Sequence, residues 1–182
     1  MLEIAIEKSE LWDAEKEEFI YIKKQKIQLE HSLVSISKWE SKWHKPFLNK
    51  KEKTKEEVVD YIRCMTITQN VDPNVYRCLS NSNFEKVDRY INDPMTATSF
   101  SESGVVGKGN TGEQTTSEVI YYWMIALNIP FECQKWHLNR LLALIKVCNI
   151  KNSPGKKMGK QEILRQNAEL NARRKKCLNT KG

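Results

Sequence analysis

The apolar period of this chain changes once, near Ser32, and that change limits what it can fold into. Before it, apolar residues fall at period two; after it, they step by three and four. Leu2–Ile6 alternates apolar and polar residues, Phe19–Ile22 is aromatic and β-branched, and Ile27–Leu29 alternates again after a lysine-rich gap. Alternation of this kind predicts half-buried strands. Three such stretches within about 30 residues make a small antiparallel sheet or hairpin and no more. Trp12 lies in an acidic segment between two of them.

From Ser32 the stripe is helical. Leu33, Ile36, Trp39 and Trp43 share one face, and Lys45-Pro46 stops the helix because proline disfavours a helical predecessor. Thr54 and Glu57 have the spacing of a capping box ahead of Val58, Tyr61, Ile62 and Met65. Asp72-Pro73 is a cap followed by proline at the first helical position, with Val75, Tyr76 and Leu79 inward. Phe84, Val87 and Ile91 predict another helix that ends before Asp93-Pro94.

Residues 95–116 are rich in Gly, Ser and Thr and show no period, which predicts a long flexible loop. Thr115 and Glu118 then suggest a second capping box. Val119–Leu127 is apolar on almost every side, so it belongs in a core or against a partner. Asn128-Ile-Pro130 breaks it, and Leu138, Leu141, Leu142, Ile145 and Cys148 line the next helix. After Ser153-Pro154-Gly155, Lys160–Lys176 has good helix formers but a thin stripe of Ile163, Ala168 and Leu170.

The expected fold is therefore mainly α: a helical domain with a small N-terminal antiparallel β element and a basic C-terminal helix. Residues 1–30 form the β element. Residues 31–150 form the helical core, interrupted by the loop 95–116, and residues 151–182 form the tail. A length of 182 residues suits one domain with an appendage.

The formal net charge is +7, but it is not spread along the chain. Residues 1–150 hold 20 Lys+Arg and 21 Asp+Glu, whereas residues 151–182 hold 10 and 2. The basicity belongs to the tail, where Arg173, Arg174, Lys175 and Lys176 stand together. Such a run is a footprint for nucleic acid or an acidic surface, or a solvated helix end whose cations complement its dipole. Residues 151–182 contain no aromatic side chain on which a base would stack.

Other classes have less support. The longest apolar run is about half the roughly 20 residues that cross a bilayer, so no membrane partner is expected. The N-terminus MLEIAIEKSE lacks the basic-then-apolar layout of a signal peptide. Five widely spaced cysteines (Cys64, Cys78, Cys133, Cys148 and Cys177) read as reduced cytoplasmic thiols. Cys133 and His137 have half of a zinc spacing without a second ligand pair. The plainer reading is a buried thiol and a surface imidazole. Gly107–Gly112 lacks the Lys-Ser/Thr ending of a phosphate loop, and Glu56-Glu57 suit the first turn of a helix. No catalytic motif stands out, and neither an enzyme nor a cofactor or metal is expected. The aromatic clusters, above all Trp39, Trp43, Tyr121, Tyr122 and Trp123, are expected to serve the core and a partner surface.

Several stretches resemble a group of tailed-bacteriophage proteins known as tail assembly chaperones. They are Leu29–Leu48 (LEHSLVSISKWESKWHKPFL), Lys53–Glu57, Asp60–Met65, Thr116–Met124 (TSEVIYYWM), Trp136–Leu142, Leu170–Arg174 and Leu178–Gly182. The likeness is discontinuous and spans residues 29–182. It implies a non-enzymatic protein of the infected host's cytoplasm that binds the phage tape measure protein and helps tail tube subunits assemble around it. Self-association is compatible with that role. A structural tail or baseplate component, and a nucleic-acid-binding protein acting through the tail, are the alternatives.

Overall fold

A computed structural model describes residues 1–14, 17–49, 51–100, 114–152 and 160–178. Most of the loop expected at 95–116, including Gly107–Gly112, lies outside them, as does Ser153–Gly155. The described chain is mainly helical, with an antiparallel β element at its N-terminus. It divides into two compact units, Met1–Cys148 and Asn149–Gly182.

Four strands open the first unit, not three: β1 (Leu2–Ile6), β2 (Ser9–Asp13), β3 (Glu18–Ile22) and β4 (Gln25–Leu29). β2 is the addition, and Trp12 sits on it, not in a linker. Its composition, Ser-Glu-Leu-Trp-Asp, hides the strand because only Leu11 and Trp12 are apolar. β1 pairs with β4, and β2 with β3. Ile6 faces Gln25 where the inner ladder ends, and Ser9 faces Ile22 where the outer one begins. Both strands advance three residues across the gap, so the register is unbroken and the four strands form one long hairpin.

The gap changes which residues face inward. In the inner half Ile4, Ile6, Ile27 and Leu29 are buried. A three-residue step reverses the alternation, so in the outer half the paired Leu11 and Ile20 pack against the core. Glu10, Trp12, Phe19 and Tyr21 face outward. The unpaired residues at the joint are charged, and Lys24 meets Glu7 at 3.0 Å.

The helices follow from their caps. In α1 (Leu33–Trp43), Ser32 and Ser35 form a reciprocal capping box, and His44 closes the helix in the left-handed region at φ 52°. In α2 (Lys55–Met65), the expected Thr54–Glu57 box is present. Asp72-Pro73 does start a helical segment, but it is a short 3₁₀ turn, Pro73–Cys78, with Val75 and Tyr76 buried. α3 (Asn81–Asn92) is capped by Ser80 and ends before Pro94. α4 is Ser117–Ala126, and Asn128 turns the chain after it at φ 53°. α5 (Leu138–Asn152) follows a 3₁₀ turn at Phe131–Lys135.

The box expected at Thr115 and Glu118 does not form. The N-cap of α4 is Thr116, and its side chain makes no cap bond. Glu118 therefore stands two residues into the helix count, one short of the position a box requires. Glu40 on α1 supplies the acceptor instead. Its Oε2 takes the Ser117 N–H at 2.7 Å, and its Oε1 takes the Phe47 N–H at 2.7 Å.

α1 packs on α2, α4 and the turn Phe131–Lys135, while β1 packs on α3. Ile36, Trp39, Ile62, Ile120, Met124 and Leu141 fill the interior with the inner hairpin's isoleucines. Among the described residues, every buried side-chain N or O atom has a hydrogen-bond partner.

Replacing Glu40 by alanine leaves two amide donors unpaired in the interior. Glu40→Ala is expected to lower unfolding stability by about 2–4 kcal/mol, measured by urea denaturation. Glu40→Gln, which keeps one acceptor, is expected to lose less than Glu40→Ala.

Candidate interaction surface

The five aromatic residues singled out in the sequence fall at different depths. Trp39 is 1% exposed, and its indole N–H donates to the Glu57 carbonyl at 2.9 Å. Its position, three residues after Ile36 on the buried face of α1, makes it a core side chain. Trp43 is half-buried one turn later, stacked on Trp39 at 6.1 Å, and its N–H donates to Asp60 Oδ2. Lys42 pairs with the other Asp60 oxygen.

On α4, Ile120 and Met124 are the apolar side chains fully turned to the core. Tyr121 is half-buried and donates its hydroxyl to Gln134 Oε1 at 2.9 Å. Trp123 is half-buried too, and with Leu48 and Leu142 it lines a recess of about 430 Å³. Tyr122 is 67% exposed and Ile125 60%. Three residues apart, they share a helix face. Phe131, in the turn that follows, is also exposed. This apolar face is what a helix apolar on all sides leaves over when only one side finds a core.

The basic residues belong to the second unit, in α6 (Lys160–Leu178). Arg165, Arg173 and Arg174 are exposed, and Arg165 lies 3.9 Å from Glu169. Leu164 and Leu170 are exposed as well. The side chains of Lys175 and Lys176 lie outside the described residues.

His137 is not the surface imidazole the sequence suggested; it is 5% exposed. Its Nε2 reaches the Tyr90 carbonyl at 2.9 Å, and its Nδ1 accepts the Asn139 N–H at 3.3 Å. A carbonyl only accepts, so Nε2 carries the proton and the ring is neutral. His31, equally buried, meets His137 edge-on with ring centroids 5.0 Å apart. His31 Nδ1 lies 2.5 Å from the Tyr61 hydroxyl, which is 3.5 Å from Ser35 Oγ. Nearby, Tyr90 donates to Glu30 Oε1 at 2.6 Å.

Burial controls the protonation of this cluster. Loss of water, and then the neighbouring His137, push the His31 imidazole down to about 3. Burial also lowers His137, against the opposing pull of the Tyr90 carbonyl and Glu30. It raises the phenols of Tyr61 and Tyr90. Cys133 and Cys64 are likewise raised by burial, so both stay as thiols. All five cysteines are free. Among the described residues, no group of three or more His, Cys, Asp or Glu side chains is placed to hold a metal ion. None of the described helices is long and apolar enough to cross a membrane.

The outward face of the β2–β3 hairpin was not legible as a surface. Trp12 is 50% exposed, Phe19 54% and Tyr21 69%. Trp12 and Phe19 are directly paired, with ring centroids 4.9 Å apart. The alternation of Phe19 and Tyr21 was the available signal, but their face depends on the three-residue step at the joint.

No protein-family model, curated protein or solved structure matches this chain.

The buried histidine pair sets a pH dependence. An unfolded imidazole titrates near 6.5, whereas the folded His31 does so at about 3. In that interval the unfolded chain binds more protons, so acid favours unfolding. The contribution is whole above pH 6.5 and falls away down to about pH 3. Urea midpoints measured across this range are expected to drop more steeply for the wild type than for His31→Asn. Carboxylates titrate in both proteins, so the difference between the two curves reports the imidazole.

Proposed function

We propose that this chain is a non-enzymatic binding protein, a tail assembly chaperone of a tailed bacteriophage that acts in the host cytoplasm. The observation that carries the reading is the exposed apolar face that Tyr122 and Ile125 form on α4, with Phe131 exposed in the turn that follows. It lies within Thr116–Met124 and the residue that follows, one of the stretches that carries the family resemblance. A chaperone of this kind holds the apolar helices of a tape measure protein in solution while tail tube subunits polymerise around them. An apolar helix face supplies the contact such a client needs, as helix-on-helix packing. Tyr121 and Trp123, half-buried on the same helix, border the interior beside that face. Trp43 stands apart against Asp60 of α2, and Trp39 serves the surface through the fold alone.

Co-expression with the tape measure protein tests this role. The wild-type chain is expected to keep the client soluble. A Tyr122→Glu, Ile125→Glu double variant is expected to unfold at nearly the same urea concentration, since both side chains are exposed, and to leave the client in the pellet. A client equally insoluble with and without the wild-type chain removes the proposal.

The second reading rests on the exposed Arg173 and Arg174 of α6. It makes the tail a basic helix that touches nucleic acid phosphates, with Lys175 and Lys176 beside them in sequence. Truncation after Lys151 is the measurement. If the tail contacts phosphates, DNA and RNA binding is expected to fall steeply with salt and to disappear on truncation. Weak binding that is flat with salt and unchanged by truncation excludes it.

A further inference from the structure

A groove runs between the end of α1, the outer face of α2, the turn Pro73–Cys78 and the start of α3. Its volume is about 680 Å³. Trp43, Val59, Leu79 and Phe84 form its floor, each half-buried with one side open. Lys55, Arg63 and Arg77 stand at its rim, exposed and without an ion-pair partner among the described residues. Two carboxylates share the site. Asp60 is already engaged by Lys42 and the Trp43 N–H, which leaves Glu56 against three cations. The groove is thus apolar at the bottom and positive at the edge.

The same chain carries the complementary surface. The outward face of the outer hairpin presents Trp12, Phe19 and Tyr21 as a ladder of exposed rings. On the same hairpin Glu10, Glu17 and Glu18 are exposed. Aromatic side chains on a hairpin are rigid anchors that lose little entropy on docking. Their acidic border matches the cationic rim. Within one chain both surfaces are open, so the occupant comes from another copy.

We propose that the Trp12–Phe19 hairpin of one copy docks in the Trp43–Phe84 groove of the next. Two different patches meet, so the contact is head-to-tail. It propagates into chains or rings instead of closing as a two-fold dimer. One hairpin in one groove is a small interface, so the association depends on concentration and weakens with salt. The inference does not depend on the chaperone reading, and either can fail alone.

Sedimentation velocity of the full chain, across concentration and salt, tests it. The wild type is expected to form species beyond the dimer at low salt and to shift toward monomer at high salt. The pair Lys55→Glu, Arg63→Glu reverses the rim, and the pair Glu10→Lys, Glu18→Lys reverses the hairpin. All four side chains are exposed, and unchanged circular dichroism confirms the fold. Each pair alone is expected to weaken self-association by about tenfold or more. Mixing the two variants is expected to restore association, because the hairpin of each variant is then opposite in charge to the groove of the other. A wild type that stays monomeric throughout overturns the proposal, as does an oligomer indifferent to either pair or a mixture that fails to recover. A monomeric wild type whose rim variant no longer solubilises the tape measure protein would assign the groove to a foreign acidic segment instead.

Discussion

The fold depends on the backbone of Gln28–Ser32, where the hairpin becomes the first helix. Gln28 accepts the Ile67 N–H at 2.8 Å, and Glu30 donates to the Met65 carbonyl at 2.9 Å. One residue on, His31 accepts the Leu138 N–H at 2.7 Å, and Ser32 bridges to His137. A run of five residues thereby fixes the end of α2 and the start of α5. Buried peptide groups that lose water must find partners, so this corner cannot shift without breaking bonds in both places. Residues about 35 and 105 positions away are tied to one strand end, and the helices are arranged around it.

Glu40 extends the same logic from backbone to side chain. Helix ends leave amide donors without acceptors, and α4 begins with no cap of its own. The carboxylate on α1 meets that need and holds the Phe47 segment at once. A local motif is replaced by a tertiary one, which commits α4 to α1 before any side chain of its apolar face is counted. Glu57 plays a more local part. Its carboxylate, held below the usual range first by Lys45 and then by the Thr54 amide, joins the cap of α2 to the chain after α1.

What the sequence disclosed and what it hid follow from range. Caps whose partners lie three residues away, such as Thr54 with Glu57, were readable because both halves sit in one window. The α1 stripe of Leu33, Ile36 and Trp39 was readable for the same reason. The cap of α4 was not, because its acceptor is 77 positions upstream. His137 looked like a surface residue because an imidazole between Trp136 and Leu138 gives no sign of a partner ring at His31. β2 escaped because alternation needs apolar letters, and pairing with β3 supplied what its own composition lacked. The aromatic list was correct as a list of large side chains, but depth separates Trp39 from Tyr122, and depth is not encoded locally.

The charged joint between the two halves of the hairpin also divides its stability. The inner ladder is sealed by the core, by Thr66 and Ile67 on one edge and by Asn83 on the other. The backbone of the outer ladder pairs only β2 with β3, and Leu11, Ile20 and Ile22 are its apolar ties to the core. Its amides can therefore open to solvent without unfolding the domain, while those of β1 and β4 open only when the core does. A hairpin divided this way can lose or remake its outer half as an independent cooperative unit, so that segment can diverge in sequence at small cost to the folding of the remainder.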